Sequence, residues 1–300
     1  MKFAYIGTDE FAADVLRRLV ADGRRPALVV SRPDSKQGRG RKLAPPPVAV
    51  VAIELGLNLS QPSSADNGEL LAELERSGAE VLCLCAYGAI IREPILSKWT
   101  ILNLHPSLLP RWRGAAPIER AIMAGDSATG VTIIKLVEEL DAGPVALVET
   151  IDIDPDDDFE TLSNRLRSIG ARLLVEALTK SEAGSLDFSP QEIDGVTYAE
   201  RILAEDRVLD PSKSAVELER TVRALRPHIG ARLALPDGDL IGVRAASVVD
   251  AAVRQGELVR CESGLLLGCS AGALSVTRLI PPGGREMDAA DWLRGRGDFS

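Results

Sequence analysis

The first half of the chain alternates short apolar runs with amphipathic stretches, and few architectures accommodate that rhythm. Phe3 to Gly7 precedes Phe11 to Val20, Ala27 to Val30 precedes Val48 to Leu55, Val81 to Ala86 stands alone, and Ile101 to Leu104 precedes Ile118 to Ala124. The short runs lack polar alternation, as strands buried on both faces do, whereas the longer stretches space their apolar side chains along one helix face. Strand and helix in turn build a parallel sheet with helices on its faces. The expected class is α/β, and ligands should gather beyond the carboxyl ends of its strands.

Val131 to Val137 and Val145 to Ile153 read as further strands, with turn chemistry between them in Asp141-Ala142-Gly143-Pro144. The acidic stretch Asp152 to Asp158 then leads into Thr161 to Thr179, whose Leu162, Leu166, Ile169, Leu173 and Leu174 fall at helical spacing. Acidic residues suit the positive end of a helix dipole, so this helix should close a first domain over 1–182. Residues 183–206 are polar and irregular, which marks a linker. Beyond it come one helical stretch, Ala215 to Leu225, and short alternating runs at Arg232 to Leu235, Leu240 to Val249, Leu265 to Gly268 and Ala273 to Leu279, separated by Gly turns. A small β-barrel over 207–300 is the economical reading. The 300-residue length supports two such domains.

Asn103 and His105 lie at the end of an apolar run, at i and i+2, so a strand would point them to one side. Asp141 closes the stretch Gly130-Val-Thr-Ile-Ile-Lys-Leu-Val-Glu-Glu-Leu-Asp141 and is placed to orient the imidazole. An amide donor, an imidazole and a carboxylate can run acyl transfer without a metal. Judged alone, each has a plainer role: a turn cap, a hydrogen-bonded loop histidine, an Asx turn. Together they point to one site. After His105 follows Pro106-Ser-Leu-Leu-Pro-Arg-Trp-Arg-Gly-Ala-Ala-Pro117, too rich in Pro and Gly for regular structure, which reads as a shaped functional loop.

Other candidates carry less. Gly7-Thr8-Asp9-Glu10 follows the first strand, but with no Gly-x-Gly-x-x-Gly and no Walker lysine, Gly7 reads as a tight turn. Cys83 and Cys85 share one face of a buried strand, with spacing wrong for zinc. His228 sits in no motif and reads as structural or on the barrel surface. Trp112 fits either a buried anchor or a substrate flank.

The net charge of −9 argues against a surface coated for nucleic acid, yet residues 31–42 carry Arg32, Lys36, Arg39, Arg41 and Lys42 against Asp34 alone. A local anion-seeking arm competes there with a merely solvated loop. No apolar stretch reaches the roughly 18 to 20 residues of a membrane span, and no cleavage site follows Met1, so a cytoplasmic protein is expected.

With these residues assembled, the chain resembles the methionyl-tRNA formyltransferases, within the superfamily that takes a formyl group from 10-formyltetrahydrofolate. The likeness rests on Asn103-Leu-His105-Pro-Ser-Leu-Leu-Pro110, Arg111-Trp-Arg-Gly-Ala-Ala-Pro117, the stretch ending in Asp141, the Gly38-Arg-Gly-Arg-Lys42 loop, and Val196-Thr-Tyr-Ala-Glu200 in the linker. The resemblance implies a Rossmann-like formyltransferase domain followed by an OB-like barrel that helps hold tRNA. It implies Asn103, His105 and Asp141 as catalytic, and folate held by Ser107, Leu108, Leu109 and Pro110, largely through backbone. The pterin would lie near Tyr87, Gly88, Ala89 and Ile90. Arg39 would reach the acceptor end of initiator Met-tRNA, with Lys36, Arg41 and Lys42 beside it. Expected partners are initiator Met-tRNA and the folate co-substrate, with no metal and no membrane, the protein acting as a monomer. One departure is that Glu205 to Ser300 holds thirteen Lys and Arg against fourteen Asp and Glu, so the barrel is not a strongly basic clamp. Two other readings stay open: a formyltransferase for a small amine, such as a nucleotide-linked amino sugar or glycinamide ribonucleotide, and a tRNA-binding module without catalysis.

Overall fold

Continuous apolar runs become the middle of a sheet. In the computed structural model, which describes residues 1–37, 42–63 and 68–295, strands Phe3–Gly7 and Val81–Cys85 are buried along their whole length. Across the sheet the order is Val145–Asp152, Ala128–Lys135, Thr100–His105, Val81–Cys85, Phe3–Gly7, Leu28–Val30 and Leu59–Ser60. From Thr100–His105 to Leu59–Ser60 neighbours run parallel. Strand Ala128–Lys135 runs antiparallel to Thr100–His105, with Leu102 opposite Lys135 and His105 opposite Thr132. The sheet is therefore mixed where the alternation predicts a parallel one. A parallel neighbour needs a crossover element on the sheet face. Helix Pro117–Ala124, which the alternation offers for that purpose, clusters with the second compact unit instead.

The first unit comprises 1–114, 129–151 and 163–198. Helix Glu10–Ala21 opens on Asp9, whose carboxylate accepts from the Ala12 amide, and it buries Phe11, Val15, Leu16 and Leu19. Burial pushes the Asp9 carboxyl up despite that hydrogen bond. Gly7 has a reason other than the expected turn. A Cβ there would stand 2.8 Å from both Ala12 Cβ and the Cys85 carbonyl, so only glycine lets helix and neighbouring strand close on it. Cys83 and Cys85 are buried free thiols; burial pushes Cys83 up to about 12 and Cys85 higher still. Among the described residues no three His, Cys, Asp or Glu side chains group as metal ligands, and no helix is long and apolar enough to cross a membrane.

The second unit comprises 115–128, 152–162 and 199–300. Helix Ala215–Leu225 begins in a capping box between Ser214 and Glu217. An antiparallel sheet follows in the order Ala231–Ala234, Leu240–Val249, Ala273–Ile280, Gly264–Gly268, Leu258–Cys261, with Met287–Asp288 on Ala273–Ile280. Register shifts between Val243 and Ala246 bend the long strand, as bulges do. Leu218, Val222 and Leu225 of the helix share one core with Leu233, Ile241, Val243, Leu265, Leu274 and Val276. The helix predicted over Thr161 to Thr179 is longer, Phe159–Glu182. Its start is fixed reciprocally: Thr161 N–H donates to Asp158 Oδ1 at 2.9 Å and Asp158 N–H donates to Thr161 Oγ1 at 3.0 Å.

Candidate active site

Strand Thr100–His105 delivers Asn103 and His105 to one face, 8% and 4% exposed. Asp141 arrives from the turn after strand Ala128–Lys135. That turn is pressed against the strand it leaves: Lys135 N–H donates to the Pro144 carbonyl at 2.9 Å, and a Cβ on Gly143 would stand 1.7 Å from the Lys135 carbonyl oxygen. Asp141 itself takes φ +47°. A left-handed non-glycine residue costs on the order of 1 kcal/mol, so the surroundings must hold it there.

The three side chains meet as the sequence predicts. Asn103 Nδ2 donates to Asp141 Oδ1 at 3.2 Å, and the Gly114 amide donates to Asp141 Oδ2 at 2.9 Å. His105 Nδ1 lies 3.6 Å from the same Oδ2. On the other side of the ring, His105 Nε2 is 2.8 Å from the Trp112 carbonyl. A carbonyl only accepts, so Nε2 carries a proton and Nδ1 faces the carboxylate. Both ring nitrogens face protein groups, Nε2 the Trp112 carbonyl and Nδ1 the Asp141 carboxylate, while Asn103 Nδ2 has a second N–H beyond its bond to Asp141.

The linker is more than a connector. Within it Gln191 Nε2 donates to the Asp141 carbonyl at 2.7 Å and to the Gly143 carbonyl at 2.8 Å. Gln191 Oε1 accepts from buried Arg113, at 2.8 Å from Nη2 and 3.2 Å from Nε. Thr197 accepts the Trp112 amide through Oγ1 at 2.9 Å and the Arg113 amide through its carbonyl at 2.9 Å. Sequence reading missed Gln191, because a glutamine in a polar stretch carries no periodicity. Its nearness to Val196-Thr-Tyr-Ala-Glu200 was the available signal.

Of the residues expected at the folate, Ser107 is fully buried. Its hydroxyl donates to the Arg111 carbonyl at 2.6 Å and its own carbonyl accepts from Thr132 Oγ1 at 2.7 Å, so it shapes the loop. Leu108, Leu109 and Pro110 are partly exposed beside it. Arg111 lies over the half-buried Trp112 ring, 4.3 Å from its centroid. The second loop leaves the adjacent strand end. Tyr87 is buried, Gly88 is exposed, Ala89 is half-buried, and Ile90 is 67% exposed. Its backbone is held by Thr8 Oγ1 on the Tyr87 carbonyl at 2.7 Å and Arg32 Nη1 on the Gly88 carbonyl at 2.7 Å. Burial pushes the Tyr87 hydroxyl up, against the opposing charge of Arg32. The basic arm is a short hairpin of Ser35–Gln37 with Lys42–Ala44, carrying exposed Lys36 and Lys42. Arg39 and Arg41 lie outside the described residues. His228 is elsewhere, in the second unit, stacked on Phe159 and 3.0 Å from Glu119 Oε1.

The family model described as formyl transferase matches residues 1–178, and that described as formyl transferase, C-terminal domain, matches 201–297. The methionyl-tRNA formyltransferase of Methylobacillus flagellatus is 40% identical over 298 residues, covering 98% of this chain and 96% of its own length. That of Neisseria meningitidis serogroup B is 40% identical over 301 residues, covering 99% and 97%. The chain belongs to the methionyl-tRNA formyltransferase family. Among solved structures it resembles HypX from Aquifex aeolicus in complex with tetrahydrofolic acid, with 18% identity, TM-score 0.68, and coverage of 100% of this chain and 47% of that one. It also resembles the N-formyltransferase from Helicobacter canadensis solved with folinic acid and dTDP-3-aminofucose, with 13% identity, TM-score 0.67, and coverage of 92% and 99%. At these identities the structures share the fold.

Proposed function

We propose that this protein transfers a formyl group from 10-formyltetrahydrofolate to the α-amino group of methionyl initiator tRNA, with Asn103, His105 and Asp141 as the reacting site. The observation that carries this reading is likeness to methionyl-tRNA formyltransferases at about 40% identity over both domains, 98% of the chain. Likeness at 13% identity to an N-formyltransferase solved with dTDP-3-aminofucose gives the small-amine alternative no comparable support.

Free α-amino groups titrate near pH 7.7 to 8.0, so a useful fraction of the methionyl amine is neutral at cellular pH. Its nitrogen attacks the formyl carbon, and negative charge develops on the formyl oxygen. Asn103 donates to that oxygen through the amide hydrogen not engaged by Asp141, and one such donor is worth about 100-fold to 1000-fold in rate. Asp141 holds Asn103 and faces the His105 ring, and with a water it carries the amine proton toward the departing folate nitrogen as the carbon–nitrogen bond to folate breaks. Leu108, Leu109, Pro110 and Ile90 offer partly or fully exposed apolar surface for a flat pteridine ring. Ser107, Tyr87, Gly88 and Ala89 support these loops. Lys36, Arg39, Arg41 and Lys42 form the arm for the acceptor end of the tRNA. Residues 1–182 act as the transfer domain and 207–300 as the tRNA-holding domain, with 183–206 between, in a cytoplasmic monomer.

Transfer of label from 10-formyltetrahydrofolate to charged initiator Met-tRNA tests the reading, with elongator Met-tRNA and amino sugars in parallel and Asn103→Ala as blank. Preference for the initiator, lost in the blank, is expected. Turnover with a small amine and none with tRNA would replace the acceptor.

A further inference from the structure

We infer that Gln191 is a positioning residue for the formyl-transfer site, tying together the two backbone segments that fix the Asp141 carboxylate. The inference rests on the reaction proposed above for its kinetic arm only.

Four hydrogen bonds converge on one side-chain amide. Its nitrogen spans the carbonyls of Asp141 and Gly143 at 2.7 and 2.8 Å, and its oxygen accepts twice from Arg113 at 2.8 and 3.2 Å. Arg113 sits between the two residues whose backbone defines the site: the Trp112 carbonyl receives His105 Nε2, and the Gly114 amide holds Asp141 Oδ2. One end of Gln191 therefore grips the turn that carries Asp141, and the other grips the segment that anchors both Asp141 and His105. The turn needs such a grip, because Asp141 is held at φ +47°. Only an amide satisfies all four partners, since two carbonyls demand donors and a guanidinium demands an acceptor. Glutamate would keep the Arg113 contact but set a carboxylate against two carbonyls. Gln191 also falls between the two regions matched by the family models, 1–178 and 201–297, so neither domain description includes it.

Gln191→Glu tests this, with Gln191→Asn as a milder companion should the charged variant fold poorly. The first readout is ring-nitrogen NMR of histidine-labelled full-length protein. The chain has only His105 and His228, and His228 belongs to the second unit, so it serves as internal control. Expected are shifted His105 ring signals with His228 unmoved. The second readout is steady-state formylation of initiator Met-tRNA: kcat falls about 10-fold or more while KM for the folate stays within about twofold. Unmoved His105 signals in both variants, or shifts of both histidines together, would overturn the positioning role. Absence of tRNA formylation in the unmutated protein would instead sink the proposed reaction and leave the NMR result standing.

Discussion

Asp141 Oδ2 faces His105 Nδ1 at 3.6 Å and accepts from the Gly114 amide at 2.9 Å. The carboxylate is thus fixed by backbone and by Asn103, and the imidazole by the Trp112 carbonyl. Donors fixed by backbone in this way suit the electrostatic stabilisation of a developing oxyanion that the proposed reaction calls for.

Asn103→Ala removes both the free amide donor and the bond to Asp141 Oδ1. We expect kcat to fall about 100-fold to 1000-fold, with the KM for Met-tRNA little changed. Steady-state formylation measures both, and a pure KM effect would assign Asn103 to binding.

Gly143→Ala places a methyl group 1.7 Å from the Lys135 carbonyl oxygen, so the Asp141 turn must move. Overpacking of this kind typically costs about 1–3 kcal/mol, and we expect a lower denaturant midpoint together with reduced kcat. Unchanged stability and rate would mean that the turn repacks freely.

Arg39→Ala probes the basic arm. Weaker use of initiator tRNA is expected, with the salt dependence of log affinity reduced by about one unit of slope and folate KM unaffected. A tRNA dependence equal to that of the unmutated protein would remove Arg39 from the interface.

Acid stability tests the second unit. Burial disfavours the Asp158 charge, but the Thr161 N–H and the Arg226 guanidinium outweigh it and hold the carboxyl below its ordinary range. A depressed folded value stabilises above the unfolded value of roughly 3.9 and is lost as pH falls through the folded one. Arg226→Gln should therefore unfold at higher pH on acid titration followed by circular dichroism. Coincident acid midpoints would show that the pair contributes nothing.

The sequence by itself determined the α/β alternation, the helix at 215–225 and the grouping of Asn103, His105 and Asp141, because hydrophobic period and residue chemistry are local properties that the backbone geometry converts directly into faces. It also identified the resemblance, since the motifs are contiguous. Only the tertiary structure decided that strand 128–135 runs antiparallel to its neighbour, that Gly7 serves close packing, and that His105 Nε2 rests on the Trp112 carbonyl. It alone decided that Gln191, fifty residues from Asp141 in sequence, supports the turn. These depend on which backbone groups meet after the chain returns on itself. A polar side chain bound to backbone carbonyls leaves no periodic trace, because its partners are groups every residue carries.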